Sequence, residues 1–201
     1  PPLAKRCRSG ATGPLNPVHP LSPPMADGYR GLFGAFPYAF RRTDSWLCRS
    51  YVVVGALAAA LLTLLFGFGL VVIFGKTLGF GGGSLTLLRA FYVVVGLFAV
   101  APVIAPVLLV ARRHRRETPA KPGYDAALAA AGYLFLLSLY AGVVASMPET
   151  FTLDGETVTR PEPSGLFAPV VAALYALPPA AAPLLPISAA AFVLAVHRRL
   201  T

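Results

Sequence analysis

Three histidines, two cysteines and eight acids are the side chains through which this chain could do covalent or metal chemistry. His19 lies in a proline-rich stretch, His114 among arginines and His197 close to the C-terminus. None is paired with a carboxylate on an expected helix, His114 and Glu117 both falling in the 112–125 loop, so no acid–base pair is legible. Cys7 and Cys48 fit neither a disulfide framework nor a metal-ligand spacing. Glu149, Asp154, Glu156 and Glu162 crowd one segment, but without the D-x-D-x-D-G order of a calcium loop they read as a soluble acidic turn. Gly81, Gly82 and Gly83 invite a phosphate-loop reading. There is no G-x-G-x-x-G and no Walker lysine in position, so a turn between two antiparallel helices is enough. The expectation is no catalytic residue, no metal, no cofactor and no enzyme.

The elements that must carry these residues explain why so little chemistry is present. Apolar residues make up 56% of the chain and charged residues 12%, against about 25% in soluble domains. Residues 51 to 75 run twenty-five positions without a charge, bracketed by Arg49 and Lys76. At about 1.5 Å per residue such a helix covers roughly 37 Å, more than the roughly 30 Å hydrocarbon core of a bilayer. The spacing predicts an all-α membrane protein with four transmembrane helices, at about 51–75, 90–111, 126–147 and 179–197. An amphipathic interfacial helix precedes them, and a short interfacial or re-entrant helix precedes the last span.

Residues 1–24 hold seven prolines and no apolar periodicity, and are expected to be a disordered tail. Met25 opens a different text and reads as the natural start, with 1–24 as upstream sequence. Residues 25–50 form a cytoplasmic interfacial segment, in which Tyr29, Leu32, Phe33, Phe36 and Phe40 fall on one helical face and Arg30 and Arg41 on another. Pro37 is a point where that helix kinks or splits. Trp46 and Tyr51 mark the membrane interface. In the second span Pro102 and Pro106 free backbone carbonyls and predict a kink that shapes packing. Arg112, Arg113, Arg115 and Arg116 with His114 make the densest positive cluster, and His114 reads as a solvated loop residue.

The third span begins with small residues, AALAAAG, which let another helix approach closely. Its polar groups are Tyr133, Ser138, Tyr140 and Ser146, whose serines can bond back to helix carbonyls. Asp154-Gly155, flanked by alternating Thr, Phe, Leu and Val, is a β-hairpin signal. Pro178 and Pro179 then split the last apolar run into a segment at 166–177, N-capped by Ser164, and the final span. Twelve residues reach only about 18 Å and do not cross alone. Pro183 and Pro186 are expected to kink the last span.

Counting basic residues on alternate sides of four spans gives fourteen on the side holding both termini and the 112–125 loop, against three on the other. Basic residues stay cytoplasmic, so both termini are expected inside a cell membrane. Arg41, Arg42, Arg112, Arg113, Arg115 and Arg116 would then meet anionic lipid headgroups. A cluster attached directly to a span is an orientation signal, and no nucleic-acid partner is expected.

The run GYRGLFGAFPYAFRRTDSWLCRSYVVVG, the pattern VLLVARRHRR and the stretch YDAALAAAGYLFLLSLYAG resemble small, uncharacterised multi-pass membrane proteins of haloarchaea. The resemblance runs from Met25 to the end. It implies an archaeal membrane location and supplies no site residues. Function is expected to be accessory or structural, through helix packing and lipid contact, with a second copy or another membrane protein as partner. The alternative is a component of a small-solute transporter or channel acting as an oligomer, suggested by the proline breaks.

Overall fold

The computed structural model describes residues 31–78, 83–117, 119, 121–153 and 155–201. The tail, the start at Met25, Tyr29, Arg30, Gly81, Gly82 and Asp154 lie outside the described residues. The architecture is an all-α membrane fold: α1 Gly31–Arg42, α2 Trp46–Thr77, α3 Gly83–Arg116, α4 Tyr124–Ala145, α5 Ala168–Tyr175 and α6 Leu184–Leu200. A hairpin of β1 Thr150–Leu153 and β2 Glu156–Thr159 and a 3₁₀ turn at Pro179–Ala181 complete it. Four segments are long and apolar enough to cross a bilayer: Trp46–Thr77, Thr86–Arg116, Tyr124–Ala145 and Pro179–Leu200.

α2 lies along α3, α6 lies along α4, and α4 touches α2, α3, α5 and α6. Burial is concentrated at the end that carries α1. There Tyr51, Val52 and Ala59 of α2 meet Val103, Val107 and Val110 of α3, Leu128 and Phe135 of α4, and Val193 of α6. From Leu61 to Phe74 α2 shows no buried residue, and Leu61, Leu64, Leu65, Phe68 and Val71 are exposed. In water such a surface would oppose folding; in hydrocarbon it costs nothing.

Tyr51 explains how the small-residue stretch of α4 is used. It is buried rather than interfacial, and its ring fills the space left by Gly132, where any Cβ would overlap it. Gly132 thus faces α2 of the same chain, and Ala129, one turn before it, is buried as well. The Tyr51 hydroxyl donates to the Val103 carbonyl at 2.7 Å, on the turn of α3 loosened by Pro106. That proline has no N–H for the Pro102 carbonyl, the neighbour of the one Tyr51 reaches. Tyr133 meets Tyr51 edge-on at 5.1 Å and donates to Ser50. Tyr51→Phe should lower stability in micelles by about 0.6–1.7 kcal/mol, the range for one interhelical hydrogen bond in a membrane protein, read by thermal unfolding.

Several sequence expectations are corrected. α1 runs through Pro37 as one helix rather than splitting there, and Ala35 and Ala39, leading on to Thr43, are its buried residues, while Phe40 stays exposed. Residues spaced by four share a face, and small ones let α1 lie close to α3. α2 starts at Trp46 because Ser45 caps it, its side chain accepting from Cys48 N. α3 continues to Arg116, so the arginine cluster is the last turn of a helix and not a loop. α5 begins at Ala168 after a positive-φ Gly165, and Ser164 does not cap it. Pro178 and Pro179 do separate α5 from α6. Pro183 is the N-cap of α6 and Pro186 lies in its first turn, where a missing N–H breaks no helical bond. Pro102 and Pro106 both lie inside α3. The expected hairpin is present, its strands paired in the register Leu153↔Glu156, with Gly155 at φ 89°.

Candidate functional site

Asp125 is the one buried acid among the described residues, and the chain at the α1 end is arranged around it. It sits in the first turn of α4, where unpaired amides favour a carboxylate. Gly123, at φ 81°, turns the chain into that helix. Because α3 remains helical beyond the apolar run, Arg113 and His114 are carried round to the facing side of α4. Arg113 Nη1 lies 2.9 Å from Asp125 Oδ1, and His114 Nε2 lies 2.8 Å from Oδ2. Thr43, between α1 and α2, donates from its hydroxyl to the same Oδ2 at 2.9 Å.

The cluster extends outward from the carboxylate. The Arg113 guanidinium lies 5.1 Å over the Tyr124 ring, and the Tyr124 hydroxyl meets His197 Nδ1 at 2.7 Å. Lys121 Nζ donates to the Arg199 carbonyl at 2.7 Å, and its backbone N–H to Leu200 O. Arg49 Nε donates to the Thr43 carbonyl, fixing the corner between α1 and α2. Residues of α2, α3, α4 and α6, together with the α1–α2 corner, therefore meet in one polar layer. No buried side-chain nitrogen or oxygen among the described residues lacks a partner.

This chemistry is that of a latch. The Thr43 hydroxyl donates a hydrogen bond to Asp125 and is wholly buried. Asp125 accepts three hydrogen bonds, which compensates its removal from water. Among the described residues, no three His, Cys, Asp or Glu side chains are grouped to hold a metal.

The structure separates the six arginines singled out in the sequence. Arg41 and Arg42 end α1 and are exposed, Arg42 lying 5.8 Å from the Tyr38 ring centre. Arg112, Arg115 and Arg116 are exposed on the last turn of α3. Arg113 alone turns inward. His114 is no solvated loop residue but a partner of Asp125. Sequence reasoning passed over Asp125 and Thr43, which sit at the edges of apolar runs. The available signal was a lone acid beside a span, following an Arg-His pair.

At the opposite end a second polar contact ties α2 to α3. Arg89 donates to the Thr77 carbonyl at 2.9 Å and to its hydroxyl, and lies 4.7 Å over Phe74. The uncharged stretches of α2 and α3 lie between this contact and the Asp125 layer.

A family model described as Domain of unknown function (DUF8056) matches residues 25–201, and the chain belongs to this family. No curated protein and no solved structure matches the chain.

Proposed function

We propose that this member of the family is an accessory or structural protein of the cell membrane, working through helix packing and lipid contact, without turnover of a substrate. Support comes chiefly from one observation. The polar groups at the α1 end satisfy one another, while Arg41, Arg42, Arg112, Arg115 and Arg116 stay exposed around them. A closed layer rimmed by arginines suits a surface of anionic headgroups, each basic residue adding about 1 kcal/mol near such a membrane. The excess of basic residues at this end supports a cytoplasmic location for both termini. The resemblance of residues 28–55 to haloarchaeal membrane proteins extends it to an archaeal membrane. Partners are lipids and a second copy or another membrane protein; nucleic acid is not among them.

The test is thermal unfolding in nanodiscs of matched chain length. Anionic discs should raise the midpoint above zwitterionic discs, and Arg112→Gln/Arg115→Gln/Arg116→Gln should remove most of the difference. Equal midpoints for the unsubstituted chain in both discs would overturn the headgroup contact.

A further inference from the structure

A cavity of about 580 Å³ lies at the end opposite α1, between the β-hairpin and α5. Its walls include Glu149, Arg160, Glu162, Ala172 and Tyr175. The Arg160 guanidinium stacks 4.1 Å from the Tyr175 ring centre. Among the described residues its polar contacts are one long hydrogen bond to Met147 O at 3.3 Å and a 3.8 Å approach to Glu149. Glu149 is itself 85% exposed, so that pair is weak. Stacking holds the planar fork in place while most of its N–H donors remain open, the arrangement that suits a phosphate or carboxylate.

The two carboxylates on the same wall change what would be accepted. Beside Glu149 and Glu162 a simple anion is repelled, whereas a ligand that carries an ammonium next to its anion meets both signs. The position agrees with such a ligand. α5 is apolar throughout, with Val170 exposed, and the hairpin above it is polar, so the cavity lies where hydrocarbon gives way to water. We propose that this cavity binds a small zwitterion, a phosphate or carboxylate carried beside an ammonium, as a free solute or as a lipid headgroup. Arg160 holds the anion, Glu149 and Glu162 face the ammonium, and Tyr175 fixes the fork. The inference stands apart from the accessory role and from the arginines at the other end.

The test is calorimetric titration of the full chain in micelles with O-phosphoethanolamine, inorganic phosphate and ethanolamine. O-phosphoethanolamine should bind at least tenfold tighter than either fragment. Arg160→Gln should weaken it at least tenfold. Glu149→Gln/Glu162→Gln, at exposed positions that do not hold the fold, should bring phosphate and O-phosphoethanolamine to within about twofold of each other. No binding of O-phosphoethanolamine, phosphate binding equally well to the unsubstituted chain, or an unchanged preference in the double variant would each overturn the site. Repeating the titration in nanodiscs separates the sources. Weaker binding in phosphatidylethanolamine discs than in phosphatidylglycerol discs identifies the headgroup as the ligand, and equal binding identifies a free solute.

Discussion

Replacing Asp125 with Ala is expected to destabilise the bundle by about 3–5 kcal/mol, the cost of leaving a buried partner charge uncompensated. Arg113 is only partly exposed and would lose its anion, and Thr43 and His114 would each lose an acceptor. The carboxylate joins the α1–α2 corner to α3 and α4, so its loss should free α1 before it frees the spans. Two companion variants sharpen the expectation. Asp125→Asn keeps an acceptor for Thr43 and should cost less than Ala. Asp125→Ala/Arg113→Met removes both charges and should recover part of the loss, because a buried pair is replaced more cheaply than it is broken. Thermal unfolding in micelles measures all three, and hydrogen exchange in α1 reports its release. Asp125→Ala with unchanged unfolding and unchanged α1 protection would show that the polar layer does not hold the helices.

The second large effect is at Gly132. A Leu there drives its side chain into the Tyr51 ring, which is already buried between α2, α3 and α4. Overpacking a filled core costs about 1–3 kcal/mol, and here α2 must also move away from α4 and the Val103 hydrogen bond must stretch. Gly132→Leu is therefore expected at the upper end of that range or beyond it. Tyr51→Ala alone should cost about 3–5 kcal/mol by opening a cavity. Combined, the two changes should cost less than their sum, since one supplies volume that the other removes. Strict additivity in the double-mutant cycle would mean that Tyr51 and Gly132 do not share this space.

What the sequence made legible follows from what lipid demands of a chain. Long uncharged runs have few alternatives to spanning helices, so the four spans, the hairpin at Asp154-Gly155 and the break at Pro178-Pro179 could be read directly. The serines behaved as their chemistry dictates, Ser138 and Ser146 bonding to Phe135 O and Val143 O. Element ends were less legible, because hydropathy marks where lipid stops and not where the helix stops. α2 begins five residues before its uncharged run and α3 continues five residues past its own. That difference hid the candidate site: a loop at 112–116 scatters its side chains, whereas a helix carries Arg113 and His114 to Asp125. Tyr51 was misread for a related reason. An aromatic residue at a span edge suits an interface, and only the missing side chain of Gly132, eighty-one positions later, makes room for it inside.

Cysteine accessibility in intact cells tests most directly whether this is a four-span bundle with the arginine-rimmed layer inside. With Cys48 and Cys7 replaced by Ala, single cysteines are placed at Ser164, before α5, at Glu117, after the arginine cluster, and at Thr201. An impermeant maleimide should label Ser164 at once and label Glu117 and Thr201 only after the membrane is opened. Labelling of Thr201 from outside would contradict it, because α6 would then not cross and the Asp125 layer could not close on His197 at one face of the membrane.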